Sequence, residues 1–224
     1  MVRADFDRSL EDLQDELLQL GQLVETAILK SMDALQSGDT ALANEVIRED
    51  DMIDQKRFAL EERSVDLIAT QQTLAIDLRT LLSVLHIAVE LERIGDYAEG
   101  IGKICLIIAD GHPAPTLDGI KRMAELGVGM LRGSLKSLAN RDVDLANRVW
   151  SEDDEVDSLY ADVCRRIFEK MTREPQSIKA ATHLLWVAHD LERIADRSTN
   201  IAERVIFLVT GEITPPSGSH EKPA

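Results

Sequence analysis

The sequence predicts an all-α protein: two tandem antiparallel three-helix bundles related by internal duplication. Three observations carry this reading. The first is a repeat. DTALANEVIREDDMID at 39–54 matches DVDLANRVWSEDDEVD at 142–157 in nine of sixteen positions, at an offset of 103 residues. HIAVELERIGD at 86–96 then matches WVAHDLERIAD at 186–196 at an offset of 100, as though one loop were three residues shorter. Two matches in the same order point to a duplicated unit. The second is composition: aromatics are 4% of 224 residues, with only six prolines and twelve glycines, whereas sheets favour aromatics and frequent turns. The third is a heptad seam late in each copy, which long helices packed at shallow angles require.

The elements follow in order. The first copy, 1–111, holds helical segments at 4–37, 39–70 and 73–109; the second, 116–211, holds them at 116–140, 142–172 and 176–210. Ser37-Gly38-Asp39 ends the first segment, and Asp39 is placed to cap the next. Asn140-Arg141-Asp142 mirrors that break. Gly111-His112-Pro113-Ala114-Pro115 divides the copies, with Thr116 as the following cap, and Pro175 stands where the last helix can begin. The third helix of copy one sets Val84, Ile87, Leu91, Ile94, Ala98, Ile101, Cys105 and Ile108 at alternating spacings of three and four. Copy two repeats this with Leu184, Val187, Leu191, Ile194, Ser198, Ile201, Val205 and Leu208. Short connections make neighbouring helices antiparallel, so each copy closes as a bundle, and the two lie side by side or end to end. A single six-helix bundle is the structural alternative. Trp150 and Trp186 read as core anchors, and residues 212–224 as a disordered tail.

Charge excludes some functions. With 41 acidic against 25 basic residues, a net −16, the chain repels phosphate backbones and anionic headgroups. Nucleic acid is therefore not an expected partner, and the membrane is reached only peripherally, through other proteins. No segment reads as a signal peptide or a membrane span, so a cytoplasmic location is expected. Cys105 and Cys164, both in apolar helical patterns, are expected as free thiols.

The acidic residues are patterned. Glu92, Asp96 and Glu99 form a stripe at i, i+4, i+7 on the face away from the first seam; Glu192, Asp196 and Glu203 lie on the corresponding face, with Thr199 in place of Glu99. The middle helices add Asp50 with Asp54, and Asp153 with Asp157, each i, i+4. Like charges at that spacing cost a helix roughly 0.2–0.5 kcal/mol per pair. Their recurrence in both copies suggests a cation among them. All-oxygen donors suit hard ions such as Mg, Mn or Fe, and two pairs per copy are enough for multinuclear clusters. The competing reading is a solvated acidic face neutralised by Arg93, Arg193 and Arg197. His189, three residues before Glu192, is an accessory candidate in the second copy or simply an exposed histidine. No nucleophile elbow, phosphate-binding loop, zinc-spaced cysteines or HExxH motif is present. Di-iron bundles use Glu-x-x-His, but the residues three before the histidines are Ser83, Ala109, Ala180, Trp186 and Ser217. An enzyme is not expected.

LERIGD at 91–96 and LERIAD at 191–196 resemble the paired Glu-x-x-x-Asp signature of the PhoU family, as do TQQTLAIDLR at 70–79 and the two Asp-x-x-x-Asp pairs. The resemblance spans both copies. It implies multinuclear metal clusters held by Asp50, Asp54, Glu92, Asp96, Asp153, Asp157, Glu192 and Asp196. It also implies a negative regulator of high-affinity phosphate uptake, linking the ATPase subunit of the phosphate ABC transporter to a phosphate-sensing histidine kinase. A homodimer is a further expectation. Two other classes stay open: a metal-dependent enzyme acting on phosphate esters, and a purely structural helical module.

Overall fold

The structure, a computed structural model, describes residues 3–70, 75–109 and 118–212. These form six long helices: α1 (Arg3–Ser37), α2 (Thr40–Thr70), α3 (Ala75–Ala109), α4 (Asp118–Asn140), α5 (Val143–Arg173) and α6 (Ile178–Thr210). A 3₁₀ turn, Pro175–Ser177, leads into α6, so the proline starts the turn and the helix follows three residues later. The Gly111–Pro115 break, the Thr116 cap, Thr73 and all but the first residue of the 212–224 tail lie outside the described residues.

The two inner breaks are built alike. Asp39 Oδ1 accepts from the amides of Ala41 and Leu42 at 2.9 and 3.0 Å, and Asp142 Oδ1 accepts from Leu145 at 2.9 Å. The Asp39 amide donates to Ala34 at 3.0 Å, and its counterpart Asp142 to Ser137 at 2.9 Å. The residue before each aspartate is left-handed. Gly38 has φ 68°, which costs glycine nothing, but Arg141 carries φ 52° with a side chain. That conformation disfavours a non-glycine residue by roughly 1–2 kcal/mol.

Both heptad seams are buried as their spacing predicts. Every residue of the two sets is less than a tenth exposed. Ser198 fits because its hydroxyl donates to the Ile194 carbonyl at 2.9 Å. The copies lie side by side and share one continuous apolar core. Helices α3 and α6 run antiparallel along the seam between them: Arg197 and Asn200 reach Glu90, while Asp190 stands against Gly100. The α1 and α4 helices also touch, leaving α2 and α5 on the two flanks. Removing a leucine such as Leu91 from this core would cost about 2–5 kcal/mol.

The tryptophans depart from expectation. Trp186 is 65% exposed, because its position on α6 falls outside both buried stripes of that helix. Trp150 is half-buried and bonds to Glu203, so it acts as a polar bridge as much as a core anchor. Cys105 and Cys164 are free thiols; Cys105 is buried and donates to the Ala34 carbonyl at 3.3 Å. Among the described residues, no helix is long and apolar enough to cross a membrane.

Candidate metal-binding faces

What brings the carboxylates together is a second stripe on α3 and α6 that heptad reading alone passes over. Beside the large seam residues, Ala88, Gly95 and Gly102 recur every seven positions on α3, as do Ala181, Ala188, Ala195 and Ala202 on α6, all of them buried. Small residues let another helix come close. At Gly102, an added Cβ would stand 3.3 Å from the Ala43 carbonyl of α2. At Gly95 it would stand 3.1 Å from Ile53 and 3.3 Å from Asp50 Oδ1. Asp50 therefore leans over a place where the α3 backbone has no side chain, next to Asp96.

The first face unites α2 and α3. Burial first, then the charges of Glu99, Asp96 and Asp54, push the Asp50 carboxyl up to about 7. Partial loss of water, then Asp96 and Asp54, raises Glu92; the same loss, then Asp54 and Glu99, raises Asp96. All five predicted residues of this copy thus share one electrostatic neighbourhood. The cations at its edge are these: Lys103 meets Glu99 at 2.5 Å; Arg57, whose charge reaches Glu92, pairs with Glu61 at 2.6 Å; and Arg93 turns to Glu90 at 3.0 Å.

The second face unites α5 and α6. Burial, then Asp196, Asp157 and Glu192, pushes Asp153 up to about 6. Burial raises Asp196 against the opposing pull of Arg193. All four predicted carboxylates meet here too, but a cation sits among them. Arg193 bonds both oxygens of Glu192 and reaches Asp196 at 2.7 Å. Glu192 is only 4% exposed, so it is no solvated surface carboxylate. His189 stays 3.8 Å from Glu192, with its side chain about half exposed. Tyr160 and Cys164 of α5 adjoin Glu192, and neither was foreseen from spacing. Glu203 leaves the stripe to bond Trp150.

The donors fit a hard cation by their chemistry. They are carboxylates on paired helices; Asp50, Glu92, Asp96, Asp153 and Asp196 hold their protons more tightly through burial first and neighbouring charge second, and a multivalent ion would offset that charge. Asp50, Asp54, Glu92, Asp96 and Glu99 would hold it on the first face, and Asp153, Asp157, Glu192 and Asp196 on the second. Among the described residues, no three His, Cys, Asp or Glu side chains are already closed around a common point. Mutual repulsion keeps bare carboxylates apart, and a cation would have to draw them in.

Comparison with known proteins matches this architecture along its length. A PhoU domain is matched twice, at residues 17–105 and 120–205. The phosphate-specific transport system accessory protein PhoU homolog of Caulobacter vibrioides is 38% identical over 92% of this chain and 90% of its own length. The Rhizobium meliloti protein of the same name is 33% identical over 99% and 93%. These relatives are named as accessory proteins of a transport system, not for a reaction. Among solved structures, PhoU from Pseudomonas aeruginosa superposes with a TM-score of 0.89 at 33% identity, covering 92% of this chain and all of that one. The phosphate transport system regulatory protein PhoU from Streptococcus pneumoniae gives 0.87 at 32% identity, covering 94% and 99%. With two matched domains, six helices in the same arrangement and relatives of nearly equal length, the chain belongs to the PhoU family.

Proposed function

We propose that this chain is a non-enzymatic accessory regulator of a phosphate-specific transport system, one that restrains high-affinity uptake and the phosphate-starvation response when phosphate is plentiful. The names of its relatives supply the transport system. The observation that carries the regulatory reading is the pair of acidic faces: two clusters of carboxylates kept in corresponding places of a duplicated fold. In this reading Mg, Mn or Fe ions, in clusters of one or more, cover the faces and turn a repulsive surface into a docking one. The partners are the ATPase subunit of the phosphate ABC transporter and a phosphate-sensing histidine kinase. The protein works as a homodimer in the cytoplasm and meets the membrane only through those partners.

The test is alkaline phosphatase activity in phosphate-rich cells lacking the gene. Activity should be high, fall when the native gene is restored, and stay high with Asp96→Lys/Asp196→Lys, whose helicity remains native by circular dichroism. Low activity in the deletion strain would reject the repressor role. Full repression by the double variant would reject the acidic faces as its working surface.

A further inference from the structure

A cavity of about 230 Å³ opens between α3 and α6. It is lined by His86 and Glu90 from α3 and by Asn200, Glu203, Arg204 and Phe207 from α6. Its acceptors are already used. Glu90 takes hydrogen bonds from Arg93 at 3.0 Å, Arg197 at 3.2 Å and Asn200 at 3.0 Å, and Glu203 takes one from Trp150. Its strongest donors are not. Among the described residues, no hydrogen bond or ion pair joins the Arg204 guanidinium or the His86 imidazole to an acceptor. Arg204 stacks on the Phe207 ring at 5.1 Å and feels the charges of Glu203 and Glu90 without bonding either. A half-buried guanidinium has five N–H donors in a fixed fork, and those of Arg204 stay open to water rather than sealed off unpaired, so an incoming anion would replace solvent there. Loss of water lowers the proton affinity of Arg204 itself; loss of water, then the charge of Arg204, holds His86 below its usual range. Glu90 pulls His86 the other way.

The duplication supplies an internal control. Because α3 and α6 are antiparallel, the equivalent of this cavity lies at the other end of the same seam, at an offset of 100 residues. There Trp186 stands for His86, Gly100 for Asn200, Ile104 for Arg204 and Ile107 for Phe207. Ile104 is 5% exposed, so packing at that position is met by an apolar side chain. The seam does not need an arginine at 204 to close. Packing alone therefore does not account for the arginine or for the histidine beside it.

We propose that this cavity binds a small oxyanion, a phosphate or carboxylate group, between the Arg204 guanidinium and the His86 imidazole. A water occupies roughly 30 Å³ of liquid, so the space takes one small polyatomic anion in place of several waters. The planar fork of Arg204 matches two oxygens of either group, and Phe207 keeps the fork in place from behind. An anion there also relieves the repulsion between Arg204 and a protonated His86. The site stands on the cavity alone and does not depend on metals or on the regulatory reading.

The test uses the full chain, stripped of metal with a chelator so that the acidic faces cannot capture anions through a bound ion. Inorganic phosphate and, separately, succinate are titrated in, followed by heat and by the ring resonances of His86. At least one anion should saturate, shift the His86 resonances and raise the pKa of that imidazole. Saturation by phosphate alone assigns the site to free phosphate, by succinate alone to carboxylates, and by both to oxyanions generally. Arg204→Gln should weaken binding roughly ten- to hundredfold, as the loss of charge-assisted hydrogen bonds does. Undisturbed His86 resonances with both anions, or native affinity in Arg204→Gln, would overturn the proposal. Should Arg204→Gln unfold, Arg204→Lys and His86→Gln are read by heat. Weaker binding in both supports the site, and native affinity in both overturns it.

Discussion

The two acidic faces occupy corresponding places in the duplicated fold, yet they are neutralised differently. On the α2/α3 face five carboxylates crowd together, with Lys103 on Glu99 at the margin and with Arg57 and Arg93 paired outward to Glu61 and Glu90. On the α5/α6 face Arg193 sits on two of the four carboxylates, Glu192 and Asp196. The arginine is present in both copies, so its direction is what differs. Arg93 bonds Glu90 one turn back, and Glu90 is anchored across the seam by Arg197 and Asn200. In copy two the residue one turn back is Asp190, one methylene shorter and set against Gly100, with burial alone raising its carboxyl to about 7. Arg193 finds no such partner behind it and turns forward onto Glu192 and Asp196. A change in the seam between the copies therefore sets how open each acidic face is to an outside cation.

The largest effect should come from removing donors one face at a time. Asp50→Asn/Asp96→Asn should weaken the first Mn²⁺ bound, measured by titration calorimetry, by about a hundredfold or more, since even second-layer partners of a metal are worth 10–100-fold. Asp153→Asn/Asp196→Asn should change that first event less than about tenfold. The reverse ranking would break the comparison.

Arg193→Gln should have a smaller and opposite pair of effects. Freed of its internal cation, the second face should bind Mn²⁺ about tenfold more tightly, while the metal-free protein loses roughly 1 kcal/mol on thermal melting. Unchanged affinity at the second face would show that Arg193 does not compete with metal.

The smallest effect is one of pH. Asp50 keeps its proton up to about 7 when folded but ionises near 3.8 when unfolded. The folded state holds the extra proton between those values, so metal-free stability is fullest below about 4 and declines as pH rises through 7. With solvent screening the loss is about 1–2 kcal/mol, a fall of a few degrees in Tm. Asp50→Asn should flatten that slope more than Asp153→Asn, whose window closes near 6. A metal-free Tm that climbs from pH 4 to 7 would contradict the reading.

Much of this was legible beforehand, for reasons specific to helices. The alternation of three and four from Val84 to Ile108 identifies a buried stripe because the helix repeats every 3.6 residues whatever it packs against. The same periodicity puts Glu92, Asp96 and Glu99 on one side, and the duplication marks their counterparts. Asp39 and Asp142 could be read as caps because a cap is a contact within four residues. The reading of Trp186 failed because hydrophobicity is not position: it lies off both buried stripes of α6 and points outward. Gly95 had a signal that was passed over, a small residue every seven positions beside the seam.

The sequence by itself determined the helices, the two inner breaks and the buried seams, and it picked out most of each acidic set but not the departure of Glu203, since these rest on spacings within one helix or on the repeat. Tertiary structure alone decided how close α2 comes to α3 over Gly95, which way Arg93 and Arg193 turn, and that the antiparallel register of α3 and α6 places Glu90 beside Asn200 but leaves Asp190 against Gly100. The approach over Gly95 and the pairings across the α3/α6 seam join residues about 40 to 110 positions apart, and the arginines, though their partners are near in sequence, turn according to those pairings. Their register is set by how side chains of different size interlock across two helices, and periodicity along either helix alone does not contain it.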